Sequence, residues 1–281
     1  MGGILCERSG VATICLEGAM LWGAFVAAIV AHYLHSPWSS IVPCLVGGAL
    51  VLGIHAFATQ KAKADHIISG LVVNLLVAGS TPLLCKFLFG SPTNSPNLAR
   101  ADRFHELAIP FLSALPGVGF IFEEMPLTYL ALILPFVLHR LLFRSRFGLR
   151  ITAAGEDPDT LLSCGVKPDR VRWVALCLGG ALAALGGAFL SVSHASQFTR
   201  DMTSGRGYIA LTALIFGNWR PLPTLLSCLL FGFADALQIR LQSAEMIPIQ
   251  FIQALPYLFT LVVLVGFVGK ARPPSAIGRV S

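Results

Sequence analysis

Glu17 lies in the apolar run CLEGAMLWG, where an acidic side chain is unusual. A carboxylate among apolar residues is costly unless it is paired, hydrogen-bonded or neutral. Gly10, Gly18 and Gly23 lie close to it in the sequence and would permit a broken helix with exposed amides. We therefore expect Glu17 either to accept hydrogen bonds from such amides or to line a path for a polar solute.

Asn74 is the second polar side chain in an apolar run, IISGLVVNLLVAGST. At helical spacing it shares a face with Gly70 and with Val77–Ala78, so that face is narrow and carries one amide. Small residues allow close helix packing, and an amide can bond across the interface. Asn74 is therefore expected either to join two helices or to line a solute path.

Asp235 and Gln238 fall on one helical face in FGFADALQIR, with Phe231 and Phe233 nearby. An acid and an amide can hydrogen-bond a polar ring while aromatic side chains stack on it. This chemistry would suit a nucleoside or a flavin. Asp235 could instead pair with an arginine of a neighbouring segment, and the sequence leaves both interpretations open.

No catalytic set of side chains stands out. The phosphate-binding pattern G-x-x-x-x-G-K-[ST] is absent, as is H-E-x-x-H, and the seven cysteines contain no C-x-x-C pair. We therefore expect no metal, cofactor or disulfide. Because the chain has no phosphate-binding loop, ATP hydrolysis would have to take place on a partner subunit.

The composition indicates which elements hold these residues. Mean hydropathy is +0.75 and charged residues make up 12%, against about a quarter in soluble domains. The apolar residues form long runs, which predicts an all-α, polytopic transmembrane bundle. Eight segments are expected at 14–34, 38–58, 67–88, 127–143, 173–193, 207–219, 222–242 and 250–268. The sixth is too short to cross as a regular helix, so it should be tilted, partly unwound or packed within the bundle.

The basic residues predict how the bundle is oriented. Placing 144–172 in the cytoplasm and counting eight crossings puts both termini there, with fourteen of the twenty Lys and Arg residues inside. The other six, including Arg206, fall outside or at outer helix ends. Residues 89–126 then form an external loop, expected to hold an interfacial helix or a short re-entrant segment. The net charge of +6 is thus read as membrane orientation rather than nucleic-acid binding.

The stretch GEDPDTLLSCGVKPDRVR, residues 155–172, concentrates charge in the middle of an apolar chain. Asp157 followed by Pro158 predicts a helix start, and Gly165 a left-handed helix stop. The result is a helix of about seven residues that carries Leu161 and Leu162 as an apolar knob. It is expected either to connect two spans or to dock on a soluble partner.

Four blocks of this sequence resemble permease subunits of ABC importers in the simple-sugar and nucleoside branch, related to ribose and branched-chain amino-acid permeases. They are ERSGVATICLEGAMLWGAF, ADHIISGLVVNLL, TAAGEDPDTLLSCGVKPDRVRWVALCLGGALAALGGAFLSVSH and FTRDMTSGRGYIALTALIFGNWRPLPTLLSCLLFGFADALQIRLQ. They occur in family order and cover most of residues 7–268. Such permeases usually carry a further hydrophobic segment ahead of the first block, and this sequence opens a few residues before it.

The resemblance implies one permease domain over residues 1–281 in a bacterial inner membrane, with no enzymatic activity of its own. Its implied partners are an ABC ATPase, a second permease subunit, an extracytoplasmic substrate-binding lipoprotein and membrane lipid. The 157–165 helix would then dock on the ATPase. Nucleosides are the expected cargo, with a simple sugar or a flavin such as riboflavin as alternatives. An ion-coupled secondary transporter is the alternative from another class, but it would need inverted repeats, and none is evident.

Overall fold

The computed structural model describes residues 1–108, 123–242 and 272–278. Within these ranges, six helices are long and apolar enough to cross a membrane. They are Leu16–Leu34, Trp38–Gln60, His66–Phe89, Pro126–Arg144, Pro168–Ala195 and Pro221–Gln242, and a shorter apolar helix covers Arg206–Phe216. Seven of the eight expected segments are therefore helical, and the bundle is a polytopic all-α membrane protein. The expected segment 250–268 lies outside the described residues.

The described helices are numbered in chain order. They are α1 (Gly2–Arg8), α2 (Leu16–Leu34), α3 (Ile41–Gln60), α4 (His66–Phe89), α5 (Pro126–Arg144), α6 (Arg146–Glu156), α7 (Pro158–Ser163), α8 (Pro168–Ala188), α9 (Arg206–Phe216) and α10 (Pro221–Gln242). A π-helical turn, Phe189–Ala195, extends α8. Two short strands, β1 (Leu107–Ala108) and β2 (Glu123–Glu124), pair antiparallel.

Helices α3 and α8 pack with their backbones almost in contact. A Cβ atom placed on Gly48 would lie 2.3 Å from the carbonyl oxygen of Gly180, and one on Gly180 would lie 2.3 Å from that of Gly48. Helix α2 packs beside them through the fully buried Ala24 and Ala28. Close packing of small residues is the usual way in which membrane helices associate, because lipid supplies no hydrophobic drive for it.

The chain between α1 and α2 is not helical, and Gly10 adopts φ +92° there. Side chains of three other helices hold this break. Ala12 donates its amide to Nδ1 of His66 at 3.2 Å, and its carbonyl accepts from Nε2 of His55 at 3.2 Å. The Nε of Arg172 donates to the carbonyl of Ser9 at 3.2 Å. The break is therefore a built feature of the fold, because side chains of other helices bond its backbone groups.

The charged stretch forms the corner α6–α7–α8. As expected, an Asp157 oxygen accepts from the amide of Thr160 at 3.1 Å, Pro158 is the first residue of α7, and Gly165 adopts φ +78°. The Thr160 hydroxyl and amide hold the pKa of Asp157 below its usual value. Helix α6 precedes this corner and is not predicted by the sequence; its N-cap is Ser145, whose hydroxyl accepts from the amide of Gly148 at 3.0 Å.

The predicted apolar knob on α7 is wrong for one of its two leucines. Leu161 is 6% exposed and belongs to a core cluster with Ile151 and Val171, whereas Leu162 is 56% exposed. Consecutive helical residues point about 100° apart, since a turn takes about 3.6 residues. The face of α7 that packs on the core is therefore narrow: it includes Leu161, and Leu162 lies outside it.

The loop at 89–126 is partly described. Its first part is irregular apart from the 3₁₀ turn Arg100–Asp102, and it is hydrogen-bonded to the segment after α8. Ser95 donates its amide to the carbonyl of Phe198 at 2.9 Å, and Leu98 donates to that of Ser196 at 2.9 Å. The expected interfacial helix is absent from the described parts of this loop, and residues 109–122 lie outside them.

Residues 272–278 lie against the α6–α7 corner and the break after α1. Ala276 donates its amide to the carbonyl of Gly155 at 2.8 Å, and Gly278 donates to that of Gly10 at 3.1 Å. The amide of Arg272 donates to Oδ1 of Asn218, just beyond α9, at 3.0 Å. Segments from both ends of the chain and the charged corner thus share one end of the bundle.

Candidate functional site

Glu17, in the first turn of α2, binds the start of α9. One carboxylate oxygen accepts from the amide of Gly205 at 2.8 Å and the other from that of Gly207 at 2.6 Å. A helix N-terminus leaves amides without intrahelical partners and carries a partial positive charge, so it stabilises an anion. A Cβ atom on Gly207 would lie 2.5 Å from the Cα of Glu17, which explains the glycine. Glu17 therefore binds backbone amides, as one interpretation expected, but they belong to the start of α9 and not to a break beside Gly10 or Gly18.

Asn74 joins α4 to both α2 and α9. Its Oδ1 accepts from the amide of Gly18 at 2.8 Å, and its Nδ2 donates to the carbonyl of Ile14 at 3.1 Å. The same Nδ2 donates to the hydroxyl of Tyr208 at 3.0 Å. The expected interhelical hydrogen bonds are therefore present, and they link this buried amide to a half-exposed tyrosine.

Asp235 pairs with an arginine, as one of the two interpretations expected. Its carboxylate lies 3.6 Å from Nη2 of Arg206, the first residue of α9, and the side chains are 47% and 41% exposed. Phe231, one turn before Asp235 on α10, packs against Phe216 at 5.7 Å between ring centroids, while Phe233 is 63% exposed. Gln238 is partly buried one turn further along α10.

These contacts gather at the N-terminus of α9, level with the interior of α4 rather than its ends. Asn74 follows the start of α4 by eight residues, which is about 12 Å of helix, and precedes its end by fifteen. Arg206, expected at the outer edge, is the first residue of α9 and pairs with Asp235, seven residues before the end of α10. Helix α9 covers 11 residues and ends where Asn218 and Trp219 adopt positive φ angles, so it extends through only part of the bundle.

The sequence did not predict the contacts of Tyr208, which bonds Asn74 in the polar cluster, or of Trp219, which bonds Glu7 in α1. Tyr208 had no motif to mark it, although it follows the paired glycines Gly205 and Gly207. Trp219 is 5% exposed, and its Nε1 donates to the carboxylate of Glu7 at 2.6 Å. Desolvation by burial raises the pKa of Glu7 to about 7.

Arg172 connects the charged corner to the break after α1. It is 1% exposed and donates to the carbonyls of Ser9 and Ala154 at 3.2 and 3.3 Å, and to Oε1 of Gln60 at 3.4 Å. The planar guanidinium reaches several acceptors at once, which a lysine ammonium cannot do in the same geometry. A displacement of α6 would therefore be transmitted by Arg172 to the break that precedes α2 and Glu17.

The described residues contain no group of three or more His, Cys, Asp or Glu side chains that could hold a metal ion. The arrangement is suited to contact with a polar solute rather than to metal binding. It places a carboxylate, an amide, a phenol and an ion pair around the start of a short helix inside an apolar bundle. Such broken helices are the elements with which membrane transport proteins contact polar solutes.

The family described as branched-chain amino acid transport system / permease component matches residues 1–268 of this chain. The chain belongs to this permease family. It is 35% identical, over 99% of its length and 90% of the relative's, to the guanosine ABC transporter permease protein NupQ of Bacillus subtilis (strain 168). The nucleoside ABC transporter permease protein NupC of Lactococcus lactis subsp. cremoris (strain MG1363) gives the same identity and coverage.

A third relative is the putative glucose ABC transporter permease protein TsgC13 of Haloferax volcanii, 34% identical over 88% of this chain and 74% of its own. No solved structure matches significantly. The expectation that this chain is a permease subunit of an ABC importer is confirmed, and such a permease works with an ATPase and a substrate-binding protein.

Proposed function

We propose that this permease forms the translocation path of an ABC importer for nucleosides, and that the polar cluster at the start of α9 lies on that path. The observation that supports nucleosides as the cargo is the similarity to two permeases named for guanosine and for nucleosides, each across 99% of this chain. The fold contributes polar groups that a neutral, hydrogen-bonding solute requires inside an apolar bundle.

The exposure of the ion pair supports placing the path beside α9 and α10. Charged residues within membrane segments face the bundle interior, a water-filled cavity or another chain, because contact with lipid is costly. Arg206 and Asp235 remain 41% and 47% exposed in the chain on its own. Their surface therefore borders either water or the second permease subunit, which would complete the path as one half of a pseudo-symmetric pair.

We place the α6–α7 corner and both termini in the cytoplasm. The corner follows a basic cluster, Arg140, Arg144, Arg146 and Arg150, and basic residues favour the cytoplasmic side. The contacts of residues 272–278 with Gly10 and Gly155 support one common side for these segments.

In this orientation Leu162 on α7 docks on the ATPase, with Asp157, Pro158 and Gly165 fixing the short helix that presents it. ATP binding then favours one of two permease conformations because its free energy differs between them. The displacement would reach the path through Arg172, which hydrogen-bonds both α6 and the break before α2. In alternating access, the two states open one fixed site to opposite sides of the membrane in turn.

A sugar cargo is the second candidate, because one relative with 34% identity is named for glucose. The experiment that separates the two is to identify the ligand that co-purifies with the substrate-binding lipoprotein that works with this permease. The proposal expects a nucleoside, and competition by unlabelled guanosine but not by glucose in uptake assays. A bound hexose with no nucleoside competition would overturn the cargo assignment.

A further inference from the structure

The hydrogen bonds of Asn74 fix the orientation of its amide. Its Oδ1 faces the amide of Gly18, which can only donate, and its Nδ2 faces the carbonyl of Ile14, which can only accept. A flipped amide would place donor against donor and acceptor against acceptor. The second hydrogen of Nδ2 is then directed at the hydroxyl oxygen of Tyr208, 3.0 Å away.

This orientation determines what the Tyr208 hydroxyl can do. Because its oxygen accepts from Asn74, its own proton must point elsewhere. Among the described residues no acceptor takes that proton, and Tyr208 is 42% exposed. The hydroxyl is thus a donor held in place from behind by a buried amide and left available on its outer side.

We propose that the Tyr208 hydroxyl donates a hydrogen bond to an acceptor atom of the transported nucleoside and is a specificity-determining residue of the path. The proposal rests on the proposed function. The acceptor is either an atom of the purine base, such as O6 or N7, or an oxygen of the ribose. A fixed donor favours solutes that present an acceptor to it, since a solute without one leaves the donor unmet.

The surroundings of Tyr208 agree with contact to a neutral solute. Arg206 lies two residues before Tyr208 on α9, and Asp235 lies on the neighbouring helix α10. Their opposite charges form an ion pair. The carboxylate of Glu17 is directed at the amides of Gly205 and Gly207. Among the described residues, the charged side chains in contact with the start of α9 are therefore paired or hydrogen-bonded, as expected for a site that handles uncharged nucleosides.

The test uses the complete transporter in proteoliposomes, with the ATPase, the second permease and saturating binding lipoprotein. Turnover is measured for wild type and Tyr208→Phe with guanosine and with analogues that each lack one acceptor: 7-deazaguanosine, 2-aminopurine riboside, 2′-deoxyguanosine and 5′-deoxyguanosine. Loading of the lipoprotein with each analogue is verified first. Tyr33→Phe, which removes another exposed hydroxyl, is the matched control.

Loss of one neutral hydrogen bond to the solute should lower guanosine turnover about three- to tenfold in Tyr208→Phe, while Tyr33→Phe has no effect. Tyr208→Phe also removes the bond from Asn74, so its thermal stability should fall slightly, and only the dependence on the solute separates the two effects. For the analogue that lacks the partner atom, wild type and variant should turn over equally, which identifies base or ribose. Unchanged guanosine turnover, or an equal loss for every solute, would overturn the proposal. Failure of the wild type to transport guanosine at all would instead refute the proposed nucleoside function.

Discussion

The carboxylate of Glu17 and the amide of Gly207 lie 2.6 Å apart, although the residues are 190 positions apart in the chain. This contact joins the helix that follows the N-terminal break to the short helix at the centre of the polar cluster. Because the second carboxylate oxygen binds Gly205, Glu17 serves as an N-cap supplied by a different helix. The orientation of α9 therefore depends on α2.

Replacing Glu17 with Gln should destabilise the permease and reduce transport. A glutamine has one acceptor and would direct its NH₂ group at a backbone amide, so one charge-assisted hydrogen bond is lost and a donor is opposed by another donor. Hydrogen bonds to charged groups contribute about 1.5–3 kcal/mol. The unfolding temperature of the purified protein measures this, with Glu123→Gln, an exposed carboxylate on β2, as the control. Equal unfolding temperatures for the two variants would contradict the capping role.

The two leucines of α7 should respond differently to substitution. Leu162→Asp should weaken association with the ATPase without changing thermal stability, because Leu162 is exposed. Leu161→Ala should cost about 2–5 kcal/mol of stability, because it leaves a cavity in the cluster with Ile151 and Val171. Co-purification of the ATPase and thermal unfolding measure the two effects. If Leu162→Asp retains the ATPase as well as wild type does, docking through α7 is wrong.

Glu7 should make stability depend on pH. Burial raises its pKa from 4.5 to about 7, so the folded state retains a proton that the unfolded chain loses. The resulting stabilisation is fully present below pH 4.5 and is lost as pH rises to about 7. The difference in unfolding free energy between wild type and Glu7→Gln should therefore fall across this range and level off above it. A difference that rises or stays constant would show that Glu7 is not a buried acid.

Asp235 tests whether the ion pair acts only as a structural contact. Asp235→Asn should lower guanosine turnover, since it leaves the Arg206 charge uncompensated on the path. The double variant Arg206→Gln with Asp235→Asn removes both charges. Full recovery in the double variant would mean that the carboxylate only neutralises Arg206, whereas partial recovery supports contact with the solute. Wild-type turnover in the single variant would remove Asp235 from the path.

Local signals in the sequence predicted the start and end of α7, because Asp157, Pro158 and Gly165 act through neighbouring backbone groups. The direction of Leu161 could not be predicted in this way, since it depends on packing against Ile151 and Val171 from other helices. The same holds for Glu7 and Trp219, which are 212 positions apart in the chain. Tyr208 gains its significance only from the bonding of Asn74, which requires three segments to meet.

The most direct measurement of the central claim is uptake of labelled guanosine by proteoliposomes that contain this permease with its partners. Uptake should require the ATPase subunit, ATP on the side that the α6–α7 corner faces, and the binding lipoprotein on the other. It should stop when ATP is replaced by a non-hydrolysable analogue. Uptake by this chain alone, driven by an ion gradient without ATP, would contradict the account.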